Sequence, residues 1–301
     1  MSAVGSMAVA VVAAIAAAFC FGAAGVLQQA ATHRIPERPA LSPAILVDLI
    51  AIPSFGLGVL LGAAGFALQV TALSFGALIV VQPLLVTGVL FYLLIAARIR
   101  RVHPDPGLVL GVLITLAGLS AFLVVARPSG GGGQIAGQDA LPLGIGLVVV
   151  VLFCVMLASR MRSERRTLPL AGATAVCYGV TAGLVRSLTT SGLDSSVWRQ
   201  WELYAVVIVG PAGFLLNQNA FQKGTVGSVA LGIITVGDPL VSIAVGVLWL
   251  GEVLTAGAAA IVGEVVAVGV LVAGVFVVCA RAQKVAEQIQ QSSGRAEEAL
   301  P

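Results

Sequence analysis

A chain of 301 residues with 59% hydrophobic and only 10% charged side chains, and a mean hydropathy of +1.07, lacks the polar surface of a soluble domain, where about 25% of residues are charged. That composition implies an all-α polytopic membrane protein. The net charge of +3 gives no basis for a nucleic-acid partner, because the cationic residues are confined mainly to short connecting loops.

The first apolar run, about Met7 to Ala30, predicts a helix ending in Gln28-Gln29. No Lys or Arg precedes Arg34, so the basic start of a signal peptide is missing and the helix is expected to be retained. After a proline-broken loop, a second helix is expected over about Ile45 to Ala72, with Gly58 and Gly62 spaced for close helix contact. The third runs from about Ala77 to Ala97 and carries Gln82-Pro83; the fourth covers about Gly107 to Ala126. A Gly-rich tract from Ser129 to Gly133, continuing to about Ala140, lacks the Gly-Lys-Ser/Thr ending of a phosphate loop and is read as a linker. Helix five, about Leu141 to Ala158, meets the cluster Arg160, Arg162, Arg165 and Arg166. Helix six covers about Leu168 to Leu188 and helix seven about Gln200 to Phe221. Helix eight lies within Thr225 to Leu250, and helix nine spans about Ala256 to Ala280. From Arg281 the tail is expected to form a short helix and then fray.

Loop charges orient this count. With nine spans, thirteen of the sixteen Lys and Arg residues fall on one side, and only Arg127, Arg186 and Arg199 on the other. The cation-rich side is cytoplasmic by the positive-inside rule, so the N-terminus is expected outside and the C-terminus inside a cell membrane. Cys20, Cys154, Cys177 and Cys279 sit in apolar runs and read as small apolar side chains. His33 and His103 lie in basic loops and read as solvated. No Cys/His spacing suggests zinc, and no cofactor is expected.

An internal duplication is legible. Gly62 to Gly76 aligns with Gly210 to Gly224, with seven identities in fifteen positions, including Gly65/Gly213 and Phe66/Phe214. Cys20-Phe21-Gly22 answers Cys177-Tyr178-Gly179, and Gln82-Pro83-Leu84 answers Asp238-Pro239-Leu240. The expected organisation is a first repeat (1–127), a linker region with helix five (128–167), a second repeat (168–281) and a cytoplasmic tail (282–301). A five-helix shift is odd, so the two four-helix repeats are inverted, a signature of secondary transporters.

Gly237-Asp238-Pro239 is the pivot. An ionised carboxylate in the middle of an apolar span is costly, so such a residue is expected to face a cavity and serve a function. Pro239 removes an amide donor and leaves helix carbonyls free at the same depth. The competing reading is a kinked helix with a protonated, internally bonded acid. Gln69, Asn217, Gln218, Asn219, Gln82 and Glu264 join Asp238 as candidate substrate-binding residues, with Pro83, Pro239 and Gly237 as helix breaks. Glu264 is expected in the site only if it faces inward, and Glu252 is expected at the membrane interface.

The stretch from Asp238-Pro239 through Leu250-Gly251-Glu252 resembles the "Pro…Leu-Gly-Glu" helix of the drug/metabolite transporter superfamily, EamA-like proteins included. The chain looks closest to the NIPA-type branch, proposed magnesium transporters with nine helices. Where that branch has tandem tryptophans and Gly-Glu…Asn in the second helix, this chain has no tryptophan pair and reads Gly65-Phe66…Gln69. The resemblance implies a secondary transporter of a small solute, with proton coupling through Asp238 as one form and a magnesium or other divalent-cation carrier as the alternative. An intramembrane lipid-modifying enzyme is disfavoured, since no Asp-rich metal motif, His-Glu-x-x-His or Gly-x-Ser-x-Gly is present. A non-transporting scaffold has no need for costly midplane polarity. The expected partners are a small solute or ion and membrane lipids; a homodimer is left open.

Overall fold

The computed structural model describes residues 3–32, 34–35, 44–100, 106–126, 133, 135, 137–161, 166–192, 196–221, 227–252 and 258–298. Among these there is no strand. The helices are α1 (Ala3–Thr32), α2 (Ala44–Ile50), α3 (Pro53–Phe75), α4 (Leu78–Leu85), α5 (Gly88–Arg100), α6 (Pro106–Ala126), α7 (Gly137–Arg160), α8 (Thr167–Ser191), α9 (Trp201–Phe221), α10 (Gly227–Trp249) and α11 (Ala258–Glu298). His33, His103, Arg127, Lys223, the Cys279 side chain and most of the Gly-rich tract lie outside the described residues.

Helix occurs at all nine expected positions, in two cases as a broken pair. Pro53 opens α3, and the residue before it, Ile52, is extended at φ −98, ψ 113, which separates α2 from α3. Pro83 lies inside α4, and the chain breaks one turn later at Val86-Thr87. There the Thr87 hydroxyl donates to the Leu84 carbonyl at 2.6 Å, satisfying a group the helix end leaves open. Helix nine does not stop near Ala280: α11 continues to Glu298 without a break.

Seven stretches are long and apolar enough to cross a bilayer: Gly5–Thr32, Pro53–Phe75, Leu78–Ile99, Ala140–Arg160, Thr167–Ser191, Trp201–Phe221 and Ala260–Val278. Shorter apolar stretches in α6 and α10 cover Val109–Phe122 and Ile233–Trp249. The chain is therefore an α-helical polytopic membrane protein.

Packing groups the helices. α1 packs along α3 and against α4 and α5, α8 packs along α9 and α10, and α6 pairs with α11. α4 against α10, with α3 against α8, joins the first group to the second. The α6–α11 pair is close because small residues face backbone: a Cβ on Gly118 would lie 2.4 Å from the Leu271 nitrogen, and one on Gly274 2.5 Å from that of Thr115. Gly58 meets Gln28 and Ala24 of α1, the close contact its spacing predicts. α7 packs chiefly on α8 and leaves Leu141, Val148, Phe153 and Met156 exposed, as a lipid-facing helix would.

Candidate functional site

Asp238 lies at the midpoint of α10, half-buried, with Ser242 one turn along on the same face. The Ser242 hydroxyl lies 3.2 Å from Asp238 Oδ1 and 3.3 Å from the Gly179 carbonyl of α8. Its single proton serves one of these acceptors at a time. The Tyr178 hydroxyl bonds with the Asn217 side chain and lies within electrostatic range of Asp238. Asn217 is buried on α9, and its Oδ1 has no hydrogen-bond partner. The acid is thus set among neutral polar groups from α8, α9 and its own helix.

The three consecutive amides of α9 do not line one surface, because successive helical positions differ by about 100°. Asn217 turns toward Tyr178 of α8. Gln218 donates to Gln28 Oε1 of α1 at 3.0 Å, and Gln28 donates to the Gly58 carbonyl of α3 at 3.2 Å. Asn219 donates to the Leu215 carbonyl of its own helix at 2.8 Å. Beside Gln28, the Gln29 Oε1 accepts from the Tyr92 hydroxyl of α5. These amides tie α1, α3, α5 and α9 together at the end of the bundle where α1 and α9 finish. Gln69 is buried on α3.

Gln82 is fully buried on α4, and neither its Nε2 nor its Oε1 has a partner. An orphaned buried amide is costly, about 1–3 kcal/mol per group. Pro83 and Pro239 line one small cavity with Val86, Phe122, Thr235 and Leu271. At about 20 Å³ it holds roughly one water, and its lining is almost wholly apolar. The two prolines therefore line one cavity, but α10 is not broken at Gly237 or Pro239 as expected, and Asp238 is not among the lining residues.

Contacts also correct the expected match of Gln82 with Asp238. A Cβ on Gly22 would strike Gly88, Phe91 and Tyr92; one on Gly179 would strike Asp238 and Val241. Ala18 meets Gly88, and Ala175 meets Gly237. Under the Cys20/Cys177 alignment, the first pair of contacts sets Asp238 where Gly88 stands and the second where Val89 stands; neither sets it at Gln82. The physical reason is the break at Val86-Thr87: α1 packs against the piece after it, whereas α10 runs unbroken through Pro239.

Glu264 is buried on α11 with Oε1 unpartnered. Its neighbour Gly263 faces Val125 at the end of α6, so Glu264 sits near that end and not at the depth of Asp238. Among the described residues no three His, Cys, Asp or Glu side chains gather as a metal site.

Sequence reasoning missed a second polar centre at the opposite end of the bundle. Glu252, expected at the membrane interface, is 3% exposed within the end of the bundle. Gly251, at φ +63, turns the chain after α10, and the Glu252 amide reaches back to the Gly246 carbonyl at 3.0 Å. The carboxylate then accepts the Leu78 and Ile79 amides, the first two of α4, at 2.7 and 3.0 Å. Anions are favoured at such a helix start. Arg186 of α8 lies 3.6 Å from the same carboxylate and donates from Nη1 to the Leu73 carbonyl of α3 at 2.6 Å. Thr189 shares Leu73 as acceptor at 3.2 Å. Nearby, Ser187 donates to Glu202 at 3.0 Å and accepts the Ile135 amide at 3.0 Å. The available signal was one Arg and one Glu, each inside or closing an apolar span, with opposite charges that burial would force to pair.

Compared with known proteins, the chain is 24% identical over 246 residues to an uncharacterized protein of Corynebacterium glutamicum, covering 81% of this chain and 85% of that protein. No family model matches the chain, and no solved structure is detectably similar.

Proposed function

We propose that this protein is a secondary transporter of a small solute, working by alternating access between two inverted four-helix repeats that α7 joins. The observation that carries the reading is the repeated packing of the two groups. A Cβ on Gly65 would meet Phe21 and Cys20 at 2.9 and 3.2 Å, and one on Gly213 would meet Cys177 and Tyr178 at 2.9 and 3.1 Å. The same aligned residues thus make the same contact twice. The C-terminal ends of α1 and α9 meet through Gln28 and Gln218, while α8 packs antiparallel on α9 through Cys177–Gly213 and Ser187–Glu202. α1 and α8 therefore run in opposite directions, which is what inversion requires.

In this reading all nine apolar helices cross the membrane, α6 and α10 included, with the N-terminus outside and the cation-rich loops in the cytoplasm. Asp238, with Ser242, Tyr178 and Asn217, forms the titratable or cation-binding centre. The amide contacts at one end and the Glu252–Arg186 contacts at the other close the two routes to it. The resemblance to the drug/metabolite transporter superfamily agrees with this arrangement. A magnesium carrier, the alternative, would hold its ion with one carboxylate, amide oxygens and water, within the usual pattern of one or two carboxylates and several waters. The test is flux. Purified protein in proteoliposomes is expected to move at least one solute from a metabolite and cation panel, chosen by ligand-induced gain in thermal stability. Stabilising ligands without flux would overturn the proposal.

A further inference from the structure

We propose that Glu252 and Arg186 form an electrostatic latch that holds the α3–α4 hairpin against the second repeat, and that this end of the bundle opens only when the latch breaks. The proposal rests on the alternating-access reading above. The hairpin is gripped on both sides of its turn. Arg186 and Thr189 of α8 both hold the Leu73 carbonyl near the end of α3, and Glu252 holds the first amides of α4 at Leu78 and Ile79. The grip is sealed, since Leu73, Leu78, Ile79 and Val81 are all fully buried. The Arg186 and Glu252 side chains are 13% and 1% exposed, so solvent screens the pair weakly.

All of these gripping groups come from α8 and the end of α10, while everything gripped belongs to the first group of helices. Such contacts separate as a set when one repeat rocks against the other. At the opposite end the groups meet through the neutral Gln28–Gln218 pair, whereas Gln29–Tyr92 lies within the first group. By the Cys20/Cys177 alignment, Gln29 stands where the second repeat has Arg186. Among the described residues, the Arg186–Glu252 ion pair thus closes this end, while the matched position at the other end is the uncharged Gln29.

Thiol reactivity in proteoliposomes tests this without knowledge of the solute. Val81→Cys, in a background lacking the four native cysteines, reports on the sealed end. Ala173→Cys, equally buried in the α8–α9–α10 core, reports on general loosening. The probe is a positively charged, impermeant methanethiosulfonate. Glu252→Gln and Arg186→Gln are each expected to raise the Val81→Cys rate by about tenfold or more, with no further rise in the double variant, as for residues acting as one unit. Arg186→Lys is expected to stay nearer the parent. Unchanged Val81→Cys rates, or an equal rise at Ala173→Cys, would overturn the latch. A latch that opens in a protein with no flux would overturn the transport reading alone. Flux with an unresponsive Val81→Cys would do the reverse.

Discussion

Replacing Glu252 by alanine removes three contacts at once: the bonds from the Leu78 and Ile79 amides and the ion pair with Arg186. Loss of a carboxylate at a helix start costs about 1 kcal/mol. A guanidinium left buried without its partner adds about 3 kcal/mol or more. Arg186 retains its bond to the Leu73 carbonyl, which places the expected total at the low end, about 3–4 kcal/mol. Glu252→Gln keeps an acceptor oxygen for one amide and is expected to lose about half as much. Arg186→Met with Glu252→Met leaves no stranded charge and is expected to cost less than Glu252→Ala alone. The assay is reversible unfolding of the purified protein by SDS in mixed micelles, comparing midpoints of the parent and the three variants. Glu252→Ala within about 1 kcal/mol of the parent, or a double variant worse than the single, would refute the reasoning.

Two further predictions concern topology and the repeat. A cysteine at Ser2 is expected to react with an impermeant thiol reagent in intact cells, and one at Ser292 only after lysis; the reverse pattern would overturn the orientation. Gly65→Leu and Gly213→Leu are expected to destabilise by similar amounts, about 1–3 kcal/mol each, because both helices must part. Gly144→Leu, where a Cβ meets nothing within 4 Å, serves as the control and is expected to be neutral or stabilising. Unequal losses at Gly65 and Gly213, one near zero, would argue against equivalent packing.

Much of the fold was legible because bilayer-length apolar runs leave little choice of structure, and the nine helical positions follow from them. The break after Pro83 was placed at the proline itself, since nothing local shows that Val86-Thr87 absorbs the bend. Within the site, Asp238 was legible as a charge in an apolar run. Its companion Ser242 stands four residues on, the spacing that shares a helix face, and could have been found. Tyr178 could not, because its electrostatic link to Asp238 depends on how closely Gly179 lets α8 approach α10. Asn217, Gln218 and Asn219 were grouped by adjacency, whereas helical rotation sends them to three surroundings. Glu252 was set at the interface because it closes a span. The Gly251 turn that carries it back over α4 is visible only in three dimensions.

The central claim is that Asp238 operates the transport cycle. Asp238→Asn preserves size and can still pair with Ser242, but it can neither titrate nor carry charge. The most direct measurement is flux in proteoliposomes carrying equal amounts of parent and Asp238→Asn protein, for a solute that the parent carries, with and without an imposed pH gradient. The account predicts gradient-driven flux in the parent, near-complete loss in Asp238→Asn, and unchanged Ala173→Cys protection showing that the variant is folded. Parental flux from Asp238→Asn, with the same response to the gradient, would contradict it and leave α10 as a kinked helix with a structural acid.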